Sequence, residues 1–208
     1  MTGRAKQVLR TPGTGPWGGR ELFRRRSGPG HKRANLGCKS PNRQPRPMKI
    51  DLTKAPTTSG SRYPSPYDAP CRARFRQRLG DAAGLSQFGV NLLRLTPGAW
   101  SSQRHWHTAE DEFIYVVAGE VVLVTDAGEE VLRAGDGAGF KAGAANGHHL
   151  QNRSGADALV LEVGSRRGDD EAHYPDIDLH ALPGRVGYAH KDGRLYADGK
   201  PPNPAKGK

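Results

Sequence analysis

From Phe88 onward the chain consists of short apolar segments, each broken by a turn signal before it reaches the length of an ordinary helix. Phe88 to Leu95 is followed by Thr96-Pro97-Gly98, Glu112 to Val117 by Ala118-Gly119, and Glu120 to Thr125 by Asp126-Ala127-Gly128. Glu130 to Arg133, His148 to Arg153 and Ala156 to Val163 continue the series. Strands about ten residues apart, with no long helical pattern between them, restrict the chain to an all-β fold, an antiparallel sandwich or barrel. Lys191-Asp192-Gly193-Arg194, between Val186 to His190 and Leu195-Tyr196, reads as a last hairpin.

Charge adds a boundary. The 208 residues carry 32 Lys and Arg against 21 Asp and Glu, a net charge of +11. All of it is local: residues 1–47 hold twelve basic side chains and one acid, Glu21, whereas from Met48 onward twenty basic residues face twenty acidic ones. The first 47 residues also contain eight Gly and six Pro. Such a segment cannot bury enough apolar surface to offset its chain entropy, so a disordered basic leader is expected over 1–47. The shift in composition makes Met48 the expected start of the working protein, with a nucleic-acid-binding arm as the competing reading of the leader. Residues 48–70, rich in Pro, Ser and Thr, read as an extended arm, 71–196 as the barrel domain and 197–208 as a flexible tail.

No apolar run approaches the length of a membrane span. Cys38 and Cys71 alone make no disulfide framework, which fits a reducing compartment, and the protein is expected to be cytoplasmic. In the segment 71–79, Arg72, Arg74, Arg76 and Arg78 alternate with smaller or apolar residues. Period two means a half-buried strand with an Arg face, which reads as a solvated edge strand that resists aggregation, or else as a docking stripe for an anion. Neither this strand nor the leader has the 3.6-residue period of a helix-turn-helix, so nucleic acid is not an expected partner of the folded part.

Chemistry gathers in the middle of the chain. Gly98 is followed by His105-Trp106-His107, Glu112 and Gly119, and a second segment supplies Gly135, Gly143, His148 and Asn152. Residues two apart on a strand share a face, so His105 and His107 can present both imidazoles to one point. Glu112 opens the next apolar strand and can return a carboxylate to the same side. If His148 also points inward, three imidazoles and a carboxylate surround one ion and leave positions open for water or substrate. By the same parity Gln103 shares the face of the His pair, Ile114 and Val116 that of Glu112, and Leu150 and Asn152 that of His148. Val116 and Leu150 read as packing. Gln103 is the better choice for a substrate contact, since a buried amide needs a partner.

In order and spacing these residues resemble the two motifs of the cupin superfamily, with a type-2-like single barrel. The first motif is matched closely by Gly98, six residues, His105-x-His107, four residues, Glu112, six residues, Gly119. The second is matched less well. Lys141 stands where Pro is usual, and four residues rather than two separate Gly143 from His148, although His148, three residues, Asn152 restores the spacing. A shifted register would put Asn146 in the ligand position, and His149 is a further alternative. The resemblance implies a double-stranded β-helix, or jelly-roll barrel, in which His105, His107, Glu112 and His148 bind one divalent transition metal: Fe, Mn, Ni, Zn or Cu. It further implies a small-molecule pocket, for which parity offers Gln103, Ile114 and Asn152 as candidate substrate contacts. The activity is expected to be that of a metal-dependent oxygenase or isomerase, with a non-enzymatic ligand-binding or sensing protein as the alternative. A homodimer, paired through the Arg strand or the C-terminal hairpin, is expected by the same analogy.

Overall fold

The computed structural model describes residues 49–197. The basic leader 1–47, Met48 and the tail beyond Ala197 lie outside the described residues. Thirteen strands follow in chain order: β1 (Thr57–Ser59), β2 (Arg74–Arg78), β3 (Phe88–Leu95), β4 (Trp106–His107), β5 (Glu112–Ala118), β6 (Glu120–Thr125), β7 (Gly128–Arg133), β8 (Gly137–Phe140), β9 (His149–Gln151), β10 (Ala158–Ser165), β11 (Ala172–Tyr174), β12 (Leu179–Ala181) and β13 (Tyr188–Ala189). One short helix, α1 (Leu79–Ala82), follows β2 directly. The fold is all-β, and no helix among the described residues is long and apolar enough to cross a membrane.

The strands form three antiparallel sheets, ordered β1-β2-β3-β10-β5-β8, β13-β12-β11-β4 and β7-β6-β9. Alternation decides which side chains meet between them. On β5, Ile114 and Val116 are buried while Phe113, Tyr115 and Val117 are exposed. Leu93 and Leu95 of β3, Val160 of β10, Val121 and Leu123 of β6, Leu132 of β7 and Leu150 of β9 complete one apolar core, which joins the six-stranded sheet to the three-stranded one. A second core gathers Tyr174, Leu179 and Tyr188 of the four-stranded sheet, with Tyr63 and Tyr67 from the arm packed against it. Burial of that aromatic surface holds the arm against the barrel.

The Arg stripe differs from the edge strand expected of it. β2 lies between β1 and β3, so β1 takes the edge, and the strand is shorter than the alternating segment, with Cys71 in a preceding 3-10 turn. Pairing of Arg74 with Leu95, Arg76 with Leu93 and Arg78 with Asn91 puts the arginines on the inner face. Arg74 is buried, Arg76 makes a bidentate pair with Glu162 at 2.7 and 2.8 Å, and Arg78 faces Asp81 at 3.6 Å. Phe75, on the outer face, stacks under the Arg94 guanidinium instead. A period-two pattern gives a strand two faces but does not say which is inside; the neighbouring strand β1 and the acceptors that meet the guanidinium groups decide it.

The chain reverses between β5 and β6 at Gly119, where φ is 77° and a Cβ would stand 2.8 Å from the Asp157 carbonyl oxygen. Gly119→Ala is therefore expected to destabilise the protein by about 3 kcal/mol, combining left-handed strain with a backbone clash. Denaturant unfolding measures this, and unchanged stability would contradict the tight approach of β10 to this turn.

Candidate functional site

His105 and His148 are opposite one another across an antiparallel bridge, each backbone N–H donating to the other's carbonyl oxygen at 3.2 and 2.9 Å. Cross-strand partners project to the same face, so both rings enter the barrel. His107 lies two residues on and follows. Glu112, the first residue of β5, pairs across the ladder with Phe140, whose ring stacks on His148 at a centroid distance of 3.6 Å. His105 is in turn stacked on Tyr174.

Three ring nitrogens converge on one carboxylate oxygen. His148 Nε2, His107 Nε2 and His105 Nε2 lie 3.0, 3.5 and 3.8 Å from Glu112 Oε2. The donor atoms of His105, Glu112 and His148 lie within 4.8 Å of one another. Each opposite ring nitrogen is taken up elsewhere: His105 Nδ1 donates to Gln103 O at 2.9 Å, His148 Nδ1 to Asn146 O at 3.2 Å, and His107 Nδ1 to Asp170 Oδ2 at 2.6 Å. Carbonyl and carboxylate oxygens can only accept, so each Nδ1 carries its proton and Nε2 is left facing Glu112; the His148 Nε2–H donates to that carboxylate in the free protein, and a ring that gives up its Nε2 proton to an incoming cation presents a lone pair there. Three such lone pairs beside a carboxylate fit a divalent transition metal by the chemistry of the donor set.

Electrostatics distinguishes the three rings. Burial pushes His105 down to about 3, against the pull of Glu112. Burial also acts to lower His107, but the Asp170 carboxylate on Nδ1 and Glu112 on the other side outweigh it and hold His107 at about 9. For Glu112, burial opposes ionisation, yet the hydrogen bond from His148 and the neighbouring imidazoles keep the carboxyl well below the usual carboxylate range. The site is thus arranged around a charged carboxylate.

The other residues singled out by parity fall in different places. Ile114 lines the cavity beside the histidines and is also part of the core. Gln103 is buried, but its Nε2 donates to Tyr67 O at 2.7 Å, so the side chain ties the arm to the barrel while its carbonyl orients His105. Asn152 is fully buried. Its Nδ2 donates to Leu95 O and Ala156 O, and its Oδ1 accepts from Ser154. Neither Gln103 nor Asn152 is among the residues lining the cavity. His149 turns away from the centre, its Nδ1 donating to Ser102 O at 3.0 Å, and Asn146 accepts from the Asp126 N–H through its side chain.

Asp170 escaped the sequence reading. It stands 63 residues from His107, in a turn before β11, and also accepts from the backbone N–H groups of Ala109 and Glu110. That strap fixes the loop between β4 and β5, and with it the distance between the His pair and Glu112. No spacing rule links such remote residues; only the pairing of β4 with β11 does.

The cupin domain profile matches residues 91–164. The structure of a sugar phosphate isomerase from a cupin superfamily, from Silicibacter pomeroyi, is 47% identical; the match covers 73% of this chain and 99% of that one, with a TM-score of 0.68. This chain belongs to the cupin superfamily. A proposed sugar phosphate isomerase from Acidithiobacillus ferrooxidans is 28% identical over 57% of this chain and 76% of its own, with a TM-score of 0.54. No curated protein shows significant sequence similarity to this cupin.

Asp170→Asn keeps the shape but removes the charge that orients and polarises His107. It is expected to weaken binding of a divalent metal about 10-fold to 100-fold, measured by competition against a chelating dye. Unchanged affinity would show that His107 needs no such support.

Proposed function

We propose that this cupin is a metal-dependent isomerase acting on a small sugar phosphate. The observation that carries the reading is the convergence of three imidazoles, each with its Nδ1 held by an acceptor, on the Glu112 carboxylate at the wall of an open cavity. The high identity to the Silicibacter pomeroyi protein supports the isomerase class over the oxygenase. His105, His107, Glu112 and His148 would hold the metal, with Fe, Mn, Ni, Zn and Cu all compatible with mixed nitrogen and oxygen donors. The metal, when bound, supplies a Lewis acid for a carbonyl or hydroxyl oxygen.

Interconversion of aldose and ketose moves a proton between adjacent carbons. Two further carboxylates line the cavity, Glu110 and Glu162. Glu162 is engaged bidentately by Arg76, whereas Glu110 stands beside His107 and accepts the backbone N–H of Arg167. Glu110 would carry the proton, in a cavity that Phe140 and Ile114 also line.

Incubation of the metal-loaded protein with a panel of aldose and ketose phosphates in deuterated water, followed by NMR, tests the function. Expected are interconversion and deuterium at the carbon beside the carbonyl. Chelation should abolish both, and Glu110→Gln should lower kcat by about 10² to 10⁴ with metal content unchanged. Dioxygen uptake without isomerisation would replace this reading by the oxygenase; binding without turnover would replace it by the ligand-binding alternative.

A homodimer is proposed as well, on a surface other than the Arg strand. Phe113, Tyr115 and Val117 project from β5, and Leu161 and Val163 of β10 flank them in register. Such a contiguous apolar face matches itself across a two-fold axis, which makes a second copy its fitting occupant. Light scattering is expected to give a dimer for the full chain and a folded monomer for Tyr115→Glu; a monomeric wild type would refute the assignment.

A further inference from the structure

The cavity that begins at the histidines measures about 410 Å³ and extends to a second wall, where Ser59, Ser61 and Arg62 of the arm meet Arg74 and Arg76 of β2. Its charges are not all balanced. Arg76 is neutralised by Glu162, and Arg78 and Arg166 both reach Asp81. Arg74 is different: it is 8% exposed, and its guanidinium donates to two neutral acceptors, Gly60 O at 2.9 Å and Ser101 O. No carboxylate lies within ion-pair distance of it among the described residues. A buried guanidinium without a counter-charge is costly, because carbonyl dipoles replace lost hydration only in part.

A second unmet group borders the same space. Ser61 Oγ is enclosed and has no hydrogen-bond partner, and it is the one buried side-chain polar atom among the described residues in that condition. Ser61 follows Gly60 directly, and the Gly60 carbonyl is what Arg74 grips, so the unsatisfied hydroxyl and the unbalanced charge are tied to one turn of the arm. Buried polar groups left unpaired in a folded chain ask for an explanation, and an absent ligand is one.

We propose that this end of the cavity is the seat of a phosphate monoester, with Arg74 supplying charge and Ser61 a hydroxyl donor. This names the anchoring half of the substrate and rests on the function proposed above for the metal half. Ser61, just past the strand that pairs with β2, and Arg74 of β2 stand beside one another, so that a phosphate can offer one oxygen to the guanidinium and another to the hydroxyl. Ser61 and Arg74 both lie outside the matched cupin segment 91–164, so the subsite is an addition made by the arm and the first long-paired strand to a generic barrel.

Calorimetric titration of inorganic phosphate into the full metal-free chain at constant ionic strength tests the subsite. Wild type and the His105→Ala, His107→Ala double variant should bind phosphate equally. Ser61→Ala should weaken it about tenfold, and Arg74→Gln should abolish it. Arg74 also ties the arm to Ser101, so circular dichroism accompanies that variant; Ser61→Ala removes no hydrogen bond of the free protein and carries the test by itself. Equal affinity in Ser61→Ala and wild type would overturn the proposal, as would absence of phosphate binding or its loss only in the histidine variant. Phosphate binding through Ser61 and Arg74 in a protein that isomerises nothing would uphold the subsite and refute the isomerase instead.

Discussion

Alternation along β5 organises the molecule. Glu112, Ile114 and Val116 face inward and Phe113, Tyr115 and Val117 outward, so one strand contributes a carboxylate to the site, two side chains to the core and three to the outer surface. Slipping this strand by one residue against β10 would exchange all three roles together. The apolar end of the barrel holds the sheets in place, and that rigidity is what makes it possible to keep a charged carboxylate among three imidazoles at the other end. The stability comes from Leu93, Leu95, Val116 and Val160; the polar end draws on it.

The histidines are oriented by acceptors that lie in three different places. Gln103 O belongs to the residue two before His105, Asn146 O to the residue two before His148, and Asp170 to a distant turn. In the first two cases the backbone just before the ring does the orienting, so local conformation and ligand geometry cannot be changed separately. In the third, a side chain bridges the two parts of the barrel, and it carries a charge. His107 is accordingly the ring whose proton affinity is raised and His105 the one in which burial prevails.

Much of this could be read from residue order. The long strands β3, β5, β6 and β10 announced themselves by alternating apolar residues between turns, and the His-x-His pair by its shared face. β11 and β12 did not, because each is three residues long with a histidine at its centre. Asp170 was invisible for want of any local signal. The Arg stripe was legible as a strand but its direction was not, since the groups that receive the inward arginines, the Glu162 and Asp81 carboxylates and the Gly60 and Ser101 carbonyls, belong to other elements. Gln103 and Asn152 were chosen by parity, and both are buried, but their amides are used up within the protein. Parity gives the side of a strand, not the group that will meet the side chain there.

X-ray absorption at the metal edge of the purified protein tests the central claim most directly. Expected are a first-row divalent ion with nitrogen and oxygen neighbours at about 2.0–2.2 Å and the multiple-scattering signature of three imidazoles, reduced to two in His105→Ala. A spectrum without imidazole scattering, or one unchanged by that substitution, would contradict it.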